Sequence, residues 1–184
     1  MDRAWAAACT LALVLGAPPS LRAYGVLSHL AVVDAACEGT VGPALQRRFP
    51  GLTAEDLRRA HAFAYGGALI HDMGYYPGGS RALSDLMHYV RSAEFVRALA
   101  DEARDANEYA FAMGALAHFL ADSEGHPLGV NRVVPLTFPK LRRKFGDVVT
   151  YEQYPKAHLR VEFGFDVVQV TRGLYPPEDY RRFI

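Results

Sequence analysis

The sequence predicts an all-α protein that folds as a single multi-helix domain. Its 184 residues are 51% hydrophobic, which is enough for one well-buried core. Apolar residues recur at the three- and four-residue spacing of helices, and no alternating strand pattern persists. No internal repeat, low-complexity segment or glycine-rich phosphate loop is found. The formal net charge is zero, so composition indicates no general attraction to nucleic acid or to an anionic membrane.

The first 23 residues are typical of a secretory signal. Arg3 gives a positive start, Ala4 to Ala17 form an apolar run, and Ala23 ends the segment with a small side chain. The run is shorter than a membrane-spanning helix requires. We therefore expect cleavage before Tyr24 and a secreted or periplasmic protein.

The remaining residues, 24–184, are predicted to form the helical domain. Cys9 lies in the leader, so Cys37 would be the single cysteine of the mature chain and no disulfide is expected. The ending Arg181–Ile184 follows a Pro-Pro turn and resembles the start of another helix. This leaves a C-terminal domain or membrane anchor open.

Helical elements are predicted in chain order from their apolar spacing. Val26 to Ala36 is an apolar helix, Pro43 to Arg59 is more polar with a helix start at Thr53-Ala54-Glu55-Asp56, and His61 to Leu69 is a further helix. Ile70 to Ser80 is a loop. Later elements are helices over Leu83–Val90, Ser92–Asn107, Phe111–Pro127 and Lys156–Val170, and an irregular basic segment over Leu128–Thr150. The cluster Lys140, Arg142, Arg143 and Lys144 is either a solvated face or a phosphate-facing patch.

The helix from Phe111 to Pro127 is the chemically informative stretch. It is apolar almost throughout, yet it carries His118, Asp122 and His126 at four-residue intervals. Residues four apart lie on one helix face, so His118 and Asp122 should face one space. We expect His126 to leave the helix and curl back, because Gly125 and Pro127 flank it. Buried imidazole and carboxylate groups need hydrogen bonds or a divalent metal to offset their desolvation.

Other segments carry the same residue types. His158 and Glu162 form a second His-x-x-x-acid pair on a different apolar helix. Two such pairs on separate buried helices are hard to explain as ordinary core histidines. Taken singly, His29 could be a core or capping histidine and Asp72 a turn cap. Histidine and carboxylate ligands without paired thiolates suit catalytic rather than structural zinc. The candidate ligands are His29, Asp72, His88, His118, Asp122, His126, His158 and Glu162, with His61 and His71 left over.

These motifs resemble the zinc-dependent phospholipases C and the related single-strand-specific zinc nucleases. The resemblance rests on YGVLSH, HDMGYYP, the His88 helix, HFLADSEGH and HLRVE, and it covers about Tyr24 to Val170. It implies a secreted helical protein that holds three zinc ions in a cleft. Tyr24 stands where the family usually has Trp, and His126 follows Asp122 two residues sooner than is usual. His61 or His71 could substitute if His126 does not reach.

The resemblance also implies which residues hold each ion. One zinc would take the free amine and carbonyl of Tyr24 together with His29, and Asp122 would bridge it to a second. The second ion would take Asp72, His88 and His118, and the third would take His126, His158 and Glu162.

Hydrolysis of a phosphodiester, with Asp72 orienting or deprotonating the attacking water, is the implied activity. A phospholipid substrate is favoured, with transient contact to a membrane surface and with Tyr75, Tyr76 and Phe119 as a choline-binding cage. A nuclease would stack bases on the same rings and use the basic cluster for the backbone. A non-catalytic exported zinc-binding module is the alternative from another class. No protein partner is implied.

Overall fold

The computed structural model describes residues 25–173, and these residues form helices joined by short turns, without β-strands. The predicted all-α fold is confirmed for this part of the chain. The α-helices are α1 (Val26–Ala36), α2 (Gly42–Arg48), α3 (Ala54–Leu69), α4 (Arg81–Tyr89), α5 (Ser92–Glu102), α6 (Ala106–Gly125), α7 (Asn131–Thr137), α8 (Pro139–Phe145) and α9 (Pro155–Thr171). Two π-helical segments (Cys37–Val41 and His126–Val130) and a 3-10 turn (Met73–Tyr75) connect some of them. Among the residues described, none of these helices has the length and apolar character needed to cross a bilayer.

Helix α6 lies at the centre and packs against α3 with the two backbones in direct contact. A Cβ at Gly67 would lie 1.9 Å from the carbonyl oxygen of Phe111, and a Cβ at Gly114 would lie 1.9 Å from that of Ala64. Any larger residue would therefore force the helices apart. The close approach also brings His118 of α6 within 2.7 Å of the carbonyl oxygen of Ala68.

Helix α3 begins at the predicted position but is longer than predicted. Thr53 and Asp56 form a reciprocal capping box, in which each side chain accepts a hydrogen bond from the other's backbone N–H. From there α3 continues without a break to Leu69, so a division between a polar segment ending at Arg59 and a second helix beginning at His61 is wrong. The break falls earlier, where Gly51 adopts φ +90° after α2.

The segment from Leu128 to Thr150 was predicted to be irregular, and this is wrong. It contains the helices α7 and α8. Val130, Val134 and Val149 are fully buried, and they pack with residues of α9 in a second apolar core. Val130 and Val134 are four residues apart, so they share a helix face. This short apolar stripe is visible in the sequence, but the sequence does not show that α9 packs against it. The basic residues of α8 are exposed.

Candidate metal centre

Three groups of histidine and carboxylate side chains meet around the C-terminal half of α6. Within each group the potential ligand atoms all lie within 4.8 Å of one another. The groups are His29 with His118 and Asp122, then Asp72 with His88 and His118, and finally His126 with His158 and Glu162. All eight candidate side chains from the sequence are therefore brought together. The proposed backbone ligand Tyr24 lies outside the described residues.

Asp122 is the common neighbour of these groups. Its Oδ2 lies 3.3 Å from His118 Nε2 and 3.6 Å from His88 Nε2. Its Oδ1 lies 3.6 Å from the Nε2 atoms of both His29 and His126. One carboxylate thus faces imidazoles from α1, α4, α6 and the segment after α6, which is the arrangement that a bridging ligand requires.

Backbone carbonyls fix the orientation of three of the imidazoles. In each case one ring nitrogen donates to a carbonyl oxygen, which leaves the lone pair of the other nitrogen free to bind a metal. The pairs are His118 Nδ1 with Ala68 at 2.7 Å, His88 Nδ1 with Ser84 at 2.8 Å, and His158 Nε2 with Val149 at 2.6 Å.

His126 reaches the centre without leaving the helix, contrary to the sequence prediction. Its backbone remains helical, with φ −64° and ψ −56°, and α6 passes directly into the π-helical segment His126–Val130. Because His126 lies one turn after Asp122, the two share a face, and His126 Nε2 also lies 3.8 Å from Glu162 Oε1. The short spacing therefore still directs this imidazole into the third group.

The buried polar atoms of the centre fit a divalent metal. Asp72 Oδ1, Asp122 Oδ1, His158 Nδ1 and both carboxylate oxygens of Glu162 have no hydrogen-bond partner among the described residues. Leaving such groups unsatisfied costs roughly 1–3 kcal/mol each, and more for charged groups. Nitrogen and carboxylate oxygen are ligands that zinc takes in catalytic sites. A metal would satisfy the whole set at once.

The pKa shifts of the three carboxyl groups show how their surroundings affect ionisation when no metal is bound. Burial raises the pKa of Glu162 from its ordinary value of 4.5 to about 9, and the nearby carboxylates of Asp122 and Asp72 add to the shift. Burial also raises the pKa of Asp72. For Asp122, burial opposes ionisation, but the contacts with His118 and the other imidazoles outweigh it and hold its pKa well below the usual range. A cation would favour the ionised form of all three carboxyl groups.

His71, which the sequence offered only as a possible substitute for His126, belongs to this region. Its ring stacks on His118, with centroids 4.4 Å apart and an angle of 4° between the planes, while His29 stacks on the other face at 3.9 Å. His118 is thus held between two imidazoles. Burial lowers the pKa of His71 to about 3, with a further contribution from His118. The sequence signal was its position directly before Asp72. His61 lies elsewhere, with Nε2 2.8 Å from Asp34 Oδ1.

Asp166 is a residue that sequence reasoning missed. Its carboxylate accepts hydrogen bonds from the backbone N–H groups of Leu27 and Ser28 at 3.2 and 3.0 Å, and from the Ser28 hydroxyl at 2.9 Å. These contacts cap the N-terminus of α1 and fasten it to α9. They hold His29, one residue later, close to the centre. The available signal was the four-residue interval between Glu162 and Asp166.

A cavity of about 350 Å³ opens onto the centre. His88, His118, Asp122 and His126 line it. The lining also includes aromatic side chains and a further carboxylate, namely Phe119, Tyr89, Tyr151 and Glu152.

The cavity lining differs from the expected substrate contacts in two respects. Tyr75 is buried and donates to Asp85 Oδ1 at 2.9 Å, and neither it nor Tyr76 belongs to the lining. The basic residues of α8 do not line the cavity either. Lys140 lies instead on a separate groove of about 920 Å³ between α8 and α9, which contains no residue of the three ligand groups.

A family model described as zinc dependent phospholipase C matches residues 28–183. No curated protein and no solved structure matches the chain. The matched region includes all eight side chains of the three ligand groups.

Proposed function

Since this chain belongs to the zinc-dependent phospholipase C family, we propose that it is an exported phosphodiester hydrolase that removes the head group of a phospholipid. The observation that carries the proposal is the convergence of three ligand groups on Asp122 beside one cavity. Family membership supports zinc as the metal. The number of ions, the residues assigned to each and the export of the protein are parts of the proposal.

Three zinc ions would be held by the three ligand groups. Asp122 would be shared between the His29 group and the Asp72 group, and the backbone of Tyr24, freed by removal of residues 1–23, would complete the former. When bound, zinc supplies Lewis acidity toward the phosphate oxygens and lowers the pKa of bound water to about 7. Each ligand group contains one carboxylate, so three negative charges would face the six positive charges of three zinc ions, and the centre would keep a net positive charge for an anionic phosphodiester.

Asp72 is the residue that we assign to proton transfer. Its carboxylate is buried, its Oδ1 lies 3.3 Å from His88 Nε2, and burial raises its pKa. In the zinc-bound protein the cation would offset this rise and keep the carboxylate ionised, which is the form that accepts a proton. Asp72 would orient the attacking water and accept its proton, and the adjacent His88 Nε2 would bind the same zinc ion.

The cavity lining supports a head group with a cationic end. Tyr89, Tyr151 and Phe119 offer aromatic faces, which attract quaternary ammonium groups. Glu152 adds a negative charge, because hydrogen bonds, first from its own backbone N–H and then from Thr150, lower its pKa. A carboxylate at this position favours phosphocholine over a polyanionic nucleic acid, whose backbone would also find no lysine or arginine among the described residues of the lining.

The test combines metal analysis with two substrates. Purified mature protein should contain about three zinc ions by atomic emission, and it should release phosphocholine from monomeric short-chain phosphatidylcholine in a chelator-sensitive reaction. Single-stranded DNA should be hydrolysed at least a hundredfold more slowly. Mass spectrometry of the exported protein should find Tyr24 at the amino terminus.

The control pair is Asp72→Asn and Asp101→Asn. Asp101 is exposed on α5 and pairs with Arg97, so its amide variant should keep full activity, while Asp72→Asn should lose at least a thousandfold in kcat. Faster cleavage of DNA than of phosphatidylcholine would make the protein a nuclease. One zinc ion or none, without hydrolysis of either substrate, would indicate a non-catalytic zinc-binding module.

A further inference from the structure

Helix α4 buries Met87 but exposes several other apolar side chains. Leu83, Leu86 and Tyr89 are 53%, 51% and 61% exposed, and Val90 just beyond the helix is 53% exposed, whereas Ser84 is fully buried. Residues three and four apart share a helix face, so the apolar side chains form one outward strip. We call Leu83, Leu86, Tyr89 and Val90 the α4 face. Contiguous apolar surface of this kind marks an interaction site.

The α4 face borders the candidate metal centre. Tyr89 lies in the α4 face and also lines the cavity, together with its neighbours Met87 and His88. His88 in turn contacts Asp72 and Asp122 at 3.3 and 3.6 Å. One helix therefore presents its inner side to the reacting groups and its outer side to solvent. Whatever binds the α4 face lies at the mouth of the cavity.

We propose that the α4 face binds the surface of a zwitterionic phospholipid bilayer and so brings lipid head groups to the cavity. This inference rests on the proposed hydrolysis of a phospholipid. Leucine side chains can enter the boundary between head groups and acyl chains, and tyrosine suits a site with one apolar and one wet side.

The charges beside the α4 face match a zwitterionic surface. Arg81 pairs with Asp85 at 3.9 Å, and Arg91 pairs with Glu94 at 3.2 Å. Each cation thus has an anion beside it, so the flanks carry no net charge. Attraction to an anionic bilayer requires clustered unpaired lysine or arginine, and these two arginines are both paired.

A second copy of the chain fits the α4 face less well. The four side chains are few compared with the roughly 20–30 residues that each partner contributes to a standard protein interface. A protein partner bound there would also cover the cavity mouth through which substrate enters. A bilayer delivers the substrate at the same place.

The experiment measures binding and hydrolysis separately. Full-length mature protein and the double variant Leu83→Ser/Leu86→Ser are floated with phosphatidylcholine vesicles, with zinc and with chelator. The matched control is Leu136→Ser/Val167→Ser, which removes two exposed apolar side chains, 70% and 43% exposed, from α7 and α9. We expect the partition coefficient of the α4 variant to fall at least tenfold and that of the control to stay within twofold. The ratio of vesicle hydrolysis to monomer hydrolysis should fall in parallel.

Four results would overturn the inference. The first is a wild type that does not float with the vesicles, and the second is an α4 variant that floats as well as the control. A wild-type dimer that the α4 substitutions dissociate would make the α4 face a contact between copies. A lower urea midpoint for the α4 variant, but not for the control, would show that the chain itself covers the face. Absence of hydrolysis of monomeric phosphatidylcholine would instead refute the proposed function. The flotation assay would still test whether the α4 face binds the bilayer.

Discussion

The buried carboxyl group of Glu162 should make the metal-free protein lose stability as the pH rises. Its pKa is about 9 in the folded protein and 4.5 ordinarily, so between these values the folded state holds a proton that the unfolded state has released. A carboxyl group with a raised pKa contributes stability below its unfolded pKa, and this contribution is lost as pH rises through the folded pKa. The free energy of unfolding should therefore fall toward alkaline pH.

The expected size follows from the slope of 1.36 kcal/mol per pH unit for one proton. Between pH 7 and 8.5 the loss is about 2 kcal/mol. Burial lowers the pKa values of His29, His71, His126 and His158, so these imidazoles are neutral in the folded state over this window. In the unfolded state only a minority of them is still protonated at pH 7, which offsets a small part of the loss. The pKa of His118 is raised because Asp122 outweighs the effect of its burial, and this shift acts in the same direction as that of Glu162.

Urea unfolding in EDTA at pH 7.0, 7.5, 8.0 and 8.5 measures this loss, and Glu162→Gln provides the control. Glutamine has nearly the same shape and does not titrate. Between pH 7 and 8.5 the free energy of unfolding of the variant should therefore fall about 2 kcal/mol less than that of the wild type. Zinc should reverse the wild-type trend, since the metal binds only the ionised carboxylate. Equal slopes for the two proteins in EDTA would refute the assignment of a buried, protonated Glu162.

Two further predictions concern the packing that supports the centre. Gly114→Ala should lower the free energy of unfolding by at least about 2 kcal/mol, because its Cβ would overlap the Ala64 carbonyl. Gly164→Ala, at a helical glycine with nothing within 4 Å, should instead stabilise by about 0.5–1 kcal/mol in the same urea assay; similar effects of both would contradict the close contact. His71→Ala should weaken zinc binding about tenfold in a chelator competition, because His118 loses the ring that holds its plane. His71→Phe keeps a flat ring and should stay within about threefold, so an equal loss in both variants would show that stacking is not the cause.

Short stretches of the sequence are enough to predict a metal centre with histidine and carboxylate ligands. Periodic apolar residues predict the helices, and the intervals His118–Asp122 and His158–Glu162 place each pair on one helix face because a helix turn spans nearly four residues. The family resemblance rests on the same short motifs and agrees with the family match. These features depend only on neighbours along the chain.

The contacts between helices were decided by the tertiary structure alone. The stacking of His71 on His118, the capping of α1 by Asp166 from a site 138 residues away in sequence, and the burial of Val134 against α9 all join distant segments. The same holds for the aromatic lining, where Tyr89 and Tyr151 replace the tyrosines of the loop. Periodicity tells which face of a helix is apolar, but not which other helix meets that face. For this reason the sequence determined the metal-binding chemistry of the protein, and only the packing of its helices decided the shape of the cavity and the exposure of the α4 face.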